Sequence, residues 1–120
     1  MQHVEQAGAY VVSAGAANHY AEHVRVAALS MGTYYVPVGG VDDQQPHTED
    51  EVYVVLRGRG VFVAGDVRVP VQAGTTLYVP AGEEHRFIDV TEDLAILVLF
   101  APPYGSGPGA ASGRDRKMES

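Results

Sequence analysis

A chain of 120 residues with a hydrophobic fraction of 46% suits one domain with one real core, and wholesale disorder is excluded. The absence of cysteine excludes a disulfide framework, a thiolate zinc site and a cysteine nucleophile. It also fits a reducing compartment, so a cytoplasmic location is expected. Net charge is −7; Arg114, Arg116 and Lys117 against Asp115 and Glu119 make residues 105–120 +1, so residues 1–104 carry −8. A body that acidic, without a basic stripe, repels phosphate backbones and anionic lipid, and neither nucleic acid nor membrane is an expected partner.

The N-terminus, Met1-Gln2-His3-Val4-Glu5, has no basic region followed by an apolar one, so no signal peptide is expected. No apolar run approaches the roughly 20 residues that span a bilayer. Between Met31 and Phe100 there is no Ser, Cys, Lys, Asn or Trp, and the only lysine is Lys117. A serine nucleophile or Schiff-base lysine therefore has no candidate in the body of the domain. His, Asp, Glu, Gln, Tyr, Thr and Arg remain, which are metal ligands and proton-transfer groups.

In chain order, Ala9 to Ser13 reads as a short first strand, and Ala14 to Glu22 as an Ala/Gly/Asn-rich loop holding His19, with His23 just beyond it. Val24–Leu29 and Thr33–Val38 read as strands, with Pro37 at an edge or strand end, and Gly39 to Asp43 as a turn. Glu51–Arg57 is a strand rich in β-branched and aromatic residues, turned by Gly58-Arg59-Gly60. Val61–Ala64 and Val67–Val71 form a hairpin about Gly65-Asp66. Thr75–Val79, His85–Val90 and Leu94–Phe100 complete the strands, with Thr91-Glu92-Asp93 as a turn. Turn signals recur every 8–12 residues or less, without a helical period. This pattern predicts an all-β barrel or double-sheet sandwich. The apolar runs Val52–Leu56 and Leu94–Phe100 predict strands covered on both faces. Residues 1–104 are expected to form the domain, and the Gly/Ser/Pro-rich stretch 105–120 a disordered tail.

Two polar clusters interrupt this pattern: Gln45-Pro46-His47-Thr48-Glu49-Asp50-Glu51 and Pro80-Ala81-Gly82-Glu83-Glu84-His85. Residues two apart on a strand share a face. Gln45 and His47 therefore point together, and Glu51 joins them once the corner at 48–50 has reset direction, with Tyr53 and Val55 following it inward. His85 and Phe87 share a face elsewhere. Two imidazoles and a carboxylate that converge leave open positions on a metal, the donor set of non-haem iron, which also suits manganese, nickel or zinc. Gln45 could add an amide oxygen. Glu49, Asp50, Glu83 and Glu84 read as solvated loop charges, and Tyr35, Tyr53, Tyr78 and Phe87 as core aromatics. One tyrosine hydroxyl reaching the pocket would serve as a proton donor. The sequence does not choose it, and Tyr53 is carried with Glu51 as the candidate catalytic pair.

The stretch Gly39-x5-Gln45-x-His47-x3-Glu51-x6-Gly58 resembles the first cupin motif, and Gly74-x5-Pro80-x-Gly82-x2-His85-x3-Asp89 the second. The resemblance covers about residues 29–100 and departs at Gln45, where the family has histidine, and at Asp89, where it has asparagine. It implies a small double-stranded β-helix, or jelly-roll barrel, with metal ligands at Gln45, His47, Glu51 and His85. It further implies one divalent ion, Fe(II) before Zn, Mn or Ni, and a small-molecule substrate. The expected activity is dioxygenase-like oxidoreduction, with a Lewis-acid isomerase, lyase or cyclase, or a non-catalytic small-molecule binding protein, as alternatives. With the apolar outer face of Val52, Val54 and Leu56, it also implies a homodimer.

Overall fold

The computed structural model describes residues 1–9, 18–42 and 46–106. Every regular element among them is a strand: β1 (His19–Arg25), β2 (Ser30–Val36), β3 (Asp50–Ala64), β4 (Val67–Val71), β5 (Thr76–Val79) and β6 (His85–Ala101). All pairings are antiparallel, in the order β1-β2-β6-β3-β4 with β5 on the free side of β3. The all-β barrel expected from the turn spacing is the fold found.

Two long strands organise it. The first part of β3 pairs with β5 and with the end of β6, through Glu51↔Phe100 and Tyr53↔Val98, whereas its second part pairs with β4 and with the start of β6, through Phe62↔Phe87 and Ala64↔His85. Glu51 and Ala64 are 13 residues apart, roughly 40 Å along a straight strand. Yet Glu51 and His85, the residue opposite Ala64, touch. The pair of strands must therefore fold over on itself, and it does so where the register shifts between Val55 and Val61. Each shift is an inserted residue that bends and twists the ladder.

These bends correct two expectations. Gly58-Arg59-Gly60 and Thr91-Glu92-Asp93 do not end strands; they are the bends inside β3 and β6. Gly58 has φ +94°, and a β-carbon there would collide with the Asp93 carbonyl, so the turn signal in the sequence was real but its outcome was a bend. Asp89 also takes the left-handed region, at φ +49°, a conformation that Asn and Asp tolerate better than most residues. The Gly65-Asp66 hairpin is found as expected.

The core fills the space between the two halves with Tyr34, Tyr53, Phe87, Leu94, Ile96 and Phe100, each no more than 1% exposed. Burying an apolar side chain of that size contributes about 1.5–3 kcal/mol, so the central strand β6 carries much of the stability. Tyr78, expected in the core, is instead 63% exposed, because β5 turns it to the outer face opposite Val52.

The N-terminal portion differs most from expectation. Residues 19–22 are strand, not loop, because Tyr20 and Ala21 pair with Tyr34 and Thr33. Residues 26–29 form the turn to β2, closed by the Val26 N–H donating to Leu29 O at 2.9 Å. The strand expected at 9–13 falls largely outside the described residues. Residues 7–9 lie over the outer face, where Thr33 Oγ1 donates to Ala7 O, Tyr35 Oη donates to Ala9 O, and Gly8 abuts Leu56. After β6 the chain turns inward, so that Tyr104 is buried and its N–H donates to Ser30 Oγ at 2.9 Å. Of the expected tail, Gly105 and Ser106 lie in this turn, and residues 107–120 are outside the described part.

Candidate metal centre

His47, Glu51 and His85 meet inside the barrel, all buried, with one donor atom from each within 4.8 Å of the others. Glu51 is the second residue of β3 and points inward opposite Val79 and Phe100; His85 opens β6. His47 comes from the loop before β3. The motif loops are tied directly: the Gly82 N–H donates to His47 O at 2.8 Å and the Ala81 N–H to Asp50 Oδ1 at 2.9 Å. Beside the site, Asp42, which is buried, ties the segment after β2 to the start of β6. Its two carboxylate oxygens accept from Tyr34 Oη at 2.8 Å and from the Phe87 N–H at 2.7 Å. Asn18 Nδ2 donates to Val41 O at 2.5 Å and to Tyr34 Oη at 3.1 Å, completing the tether.

Glu51 Oε1 stands 3.4 Å from His85 Nε2 and 4.0 Å from His47 Nε2. Donors about 2.0–2.2 Å from a shared ion stand about 3–4 Å apart, so both pairs already have suitable spacing. His85 Nδ1 lies 2.7 Å from the Glu83 carbonyl, which can only accept. Nδ1 therefore carries the proton, and the Nε2 lone pair faces the site. Glu51 Oε2 is buried and has no hydrogen-bond partner among the described residues. A buried carboxylate left half satisfied is costly unless a cation completes it. The tautomer, the spacing and the orphan oxygen together fit a divalent ion.

Electrostatics support the same reading. Burial tends to lower the His85 pKa, but the hydrogen-bonded Glu51 carboxylate, helped by the Glu83 carbonyl and Asp42, outweighs it and holds the pKa above the ordinary 6.5. Burial, with Glu51 adding to it, pushes the Tyr53 phenol well above its usual value. Tyr53 is therefore a neutral hydroxyl, 2.9 Å from His85 Nε2. The structure thus brings His47, Glu51, His85 and Tyr53 together, as the sequence predicted; Gln45 lies outside the described residues.

The cupin domain profile matches residues 32–100. This chain is a cupin. It is 42% identical over 84 residues to an uncharacterized protein of Streptomyces coelicolor, covering 70% of this chain and 80% of that one. Among solved structures, a cupin superfamily protein from Desulfitobacterium hafniense superposes with a TM-score of 0.69 at 15% identity, over 83% of this chain and 90% of the other. KdgF from Halomonas sp. gives 0.65 at 16% identity, covering 71% and 78%. The DMSP lyase DddQ from Ruegeria pomeroyi gives 0.60 at 23% identity, but this cupin spans only 39% of that chain's length. These likenesses show the fold.

Two features of the site were not legible in the sequence. Glu49, expected to be a solvated charge, is fully buried and accepts from Thr48 Oγ1 at 2.6 Å. Tyr20 and Tyr104 join Phe100 as an aromatic wall beside His47, whose ring stands 5.3 Å from Phe100 and 5.5 Å from Tyr104. Reading His19-Tyr20-Ala21-Glu22 as an alternating strand would have found Tyr20, whereas Tyr104, beyond a Pro-Pro step, leaves no such signal.

Proposed function

We propose that this cupin is a metal-dependent enzyme acting on a small molecule, with His47, Glu51 and His85 as the protein ligands of one divalent ion. The observation that carries this reading is the buried Glu51 carboxylate, set between two imidazoles with one oxygen left unpartnered. Two histidines and one carboxylate leave coordination positions open, the donor set suited to Fe(II) oxygen chemistry. When bound, the ion supplies a Lewis acid and, as Fe(II), one-electron chemistry with O₂. Non-haem dioxygenase chemistry is therefore the favoured reaction class.

The chain's own contribution is clearer. The Glu83 carbonyl fixes the His85 tautomer, the Asp42 carboxylate pins the Phe87 N–H two residues beyond His85, and the aromatic wall lines the chamber beside His47. The neutral Tyr53 hydroxyl is placed to give a proton to a bound substrate or take one from it. That placement favours a second reading, redox-neutral isomerase or lyase chemistry at the same site.

Metal analysis tests the centre. About one equivalent of ion is expected in protein loaded anaerobically with Fe(II), and far less in His47→Ala. Equal loading of the two would overturn the site. Oxygen uptake with small diketones or catechols then separates the readings, since a loaded protein that consumes none is not a dioxygenase.

We also infer a homodimer. Tyr78, Val52, Leu99, Met31 and Val24 are in register across β5-β3-β6-β2-β1 and form one apolar row on the outer face. Residues 7–9 cover only the neighbouring strip at Leu56 and Thr33. A second copy is the expected cover. Light scattering at micromolar concentration should return twice the chain mass, and a monomer there refutes the dimer.

A further inference from the structure

The inner face of β2 carries Ser30, Gly32, Tyr34 and Val36. A β-carbon on Gly32 would collide with the Tyr20 hydroxyl and stand 2.6 Å from the Ala21 carbonyl oxygen. Tyr20 thus fills the space that a side chain at 32 would take. It faces inward because it pairs with Tyr34 across β1 and β2. Its ring meets Phe100 edge-on, with centroids 6.2 Å apart, and lies 6.0 Å from Tyr104. Those two rings pack on His47. Tyr20 therefore belongs to the wall of the chamber that holds the metal ligands.

Its hydroxyl differs from those of Tyr34 and Tyr53, which also point inward. Tyr34 Oη is engaged by Asp42 and Tyr53 Oη by His85, whereas Tyr20 Oη is buried with no hydrogen-bond partner among the described residues. A phenylalanine would make the same ring contacts without a buried, unsatisfied hydroxyl. Burial, then the carboxylates of Glu22 and Glu51 among the nearby groups, keeps the phenol far above its ordinary pKa, so it stays a neutral donor. A divalent ion with one glutamate ligand leaves a net positive centre, which favours an anionic oxygen ligand, and a wall of three aromatic rings suits a flat body.

We propose that the Tyr20 hydroxyl is the recognition group of this site, donating a hydrogen bond to an acceptor oxygen of a small, flat oxyanion of the enolised dicarbonyl or catecholate class. This rests on the metal-centre reading above.

The test uses full-length protein, with Ni(II) as the ion and acetylacetone as the ligand probe. Wild type and Tyr20→Phe are compared for Ni(II) affinity, for acetylacetone affinity of the loaded protein by calorimetry at pH 8, and for Tm without metal. The expected result is acetylacetone binding weakened five- to tenfold, the effect of one hydrogen bond. Ni(II) affinity should stay within twofold, and Tm should be equal or higher, because no partner among the described residues is lost. Acetylacetone affinity within twofold of wild type overturns the proposal, as does a fall in Tm or Ni(II) affinity, which would mark Tyr20 as structural. Nickel-loaded wild type that ignores acetylacetone overturns this proposal alone. Failure of wild type to take Ni(II) overturns the metal centre and this proposal with it.

Discussion

The Tyr53 hydroxyl and Glu51 Oε1 approach the same nitrogen of His85, at 2.9 and 3.4 Å from Nε2. Because Nδ1–H is given to the Glu83 carbonyl, Nε2 has one lone pair. Without an ion, Tyr53 donates to that lone pair; an ion takes it over. An ion held in the proposed site by His47, Glu51 and His85 would therefore release the Tyr53 hydroxyl from its partner and leave the phenol available to a substrate. Tyr53→Phe should weaken the metal-free protein by about 1 kcal/mol, the net worth of one buried hydrogen bond. It should also tighten metal binding by up to about fivefold, since the competitor is gone. Urea titration and a chelator competition measure the two effects, and looser metal binding in the variant would contradict the shared lone pair.

In the proposed site, Glu51 would serve an ion at the expense of the fold. Its carboxylate is 1% exposed, with Oε2 unpartnered among the described residues. Glu51→Gln keeps the shape and removes the charge. At pH 8, where His85 offers less compensating positive charge, the metal-free variant should melt no lower than wild type. Its affinity for Fe(II) or Ni(II) should drop at least about a hundredfold, the loss of an anionic ligand. Calorimetric melting and metal titration of the same preparation separate the two, and retained affinity would remove Glu51 from the ligand set.

The His85 pKa sets a pH dependence with a definite sign. In metal-free protein it is raised above 6.5, so the folded state binds this proton more tightly than the unfolded chain does. That stabilising contribution is complete below pH 6.5 and disappears as pH climbs through the raised folded value. Metal requires the unprotonated imidazole, so metal affinity should run the opposite way and strengthen over the same window. Parallel pH series of chemical denaturation and metal titration should show the two opposed slopes in wild type and shallower ones in His85→Gln, where only the His47 imidazole still has to lose a proton to an ion.

Gly58 tests the bend. At φ +94°, with the Asp93 carbonyl where a β-carbon would go, Gly58→Ala should cost about 2–4 kcal/mol. Gly65 also has positive φ, +57°, but nothing lies within 4 Å of its would-be β-carbon. Gly65→Ala should cost only about 1–2 kcal/mol, the strain of the left-handed conformation. If the two variants unfolded at equal denaturant, steric closure at the bend would not be the reason for the glycine.

The meeting of His47, Glu51 and His85 was legible because its information is local: polar residues at short fixed spacings, flanked by turn formers, beside a run as apolar as Val52–Leu56. The hairpin at Gly65-Asp66 was legible for the same reason. Strand continuity was not. A glycine that bends a strand and a glycine that ends one carry the same letter, and Gly58 is told apart only by the Asp93 backbone it meets. Tyr20 was hidden because strand β1 forms by pairing with β2 rather than by its own propensity, its approach being rich in Ala and Gly. Glu49 was misplaced on polarity alone, and the burial of Asp42 was not foreseen, since whether a carboxylate is buried depends on donors that arrive from elsewhere, such as the Phe87 N–H at Asp42.

The position of β6 has a consequence for how the protein comes into being. It is the last strand in the sequence, yet it lies between β2 and β3 in the sheet. A nascent chain that has emerged only as far as β5 holds β1-β2 and β3-β4-β5 as separate pieces, with the middle of the sheet empty and His85 not yet delivered. Folding must then wait for distant segments to meet, which makes it slow and all-or-none. Until the final strand slides in, the ribosome carries two exposed strand edges with nothing to coordinate an ion. In the proposed metal site, capture of an ion would therefore be a late, post-translational event, and truncation within β6 should abolish the fold together with the site.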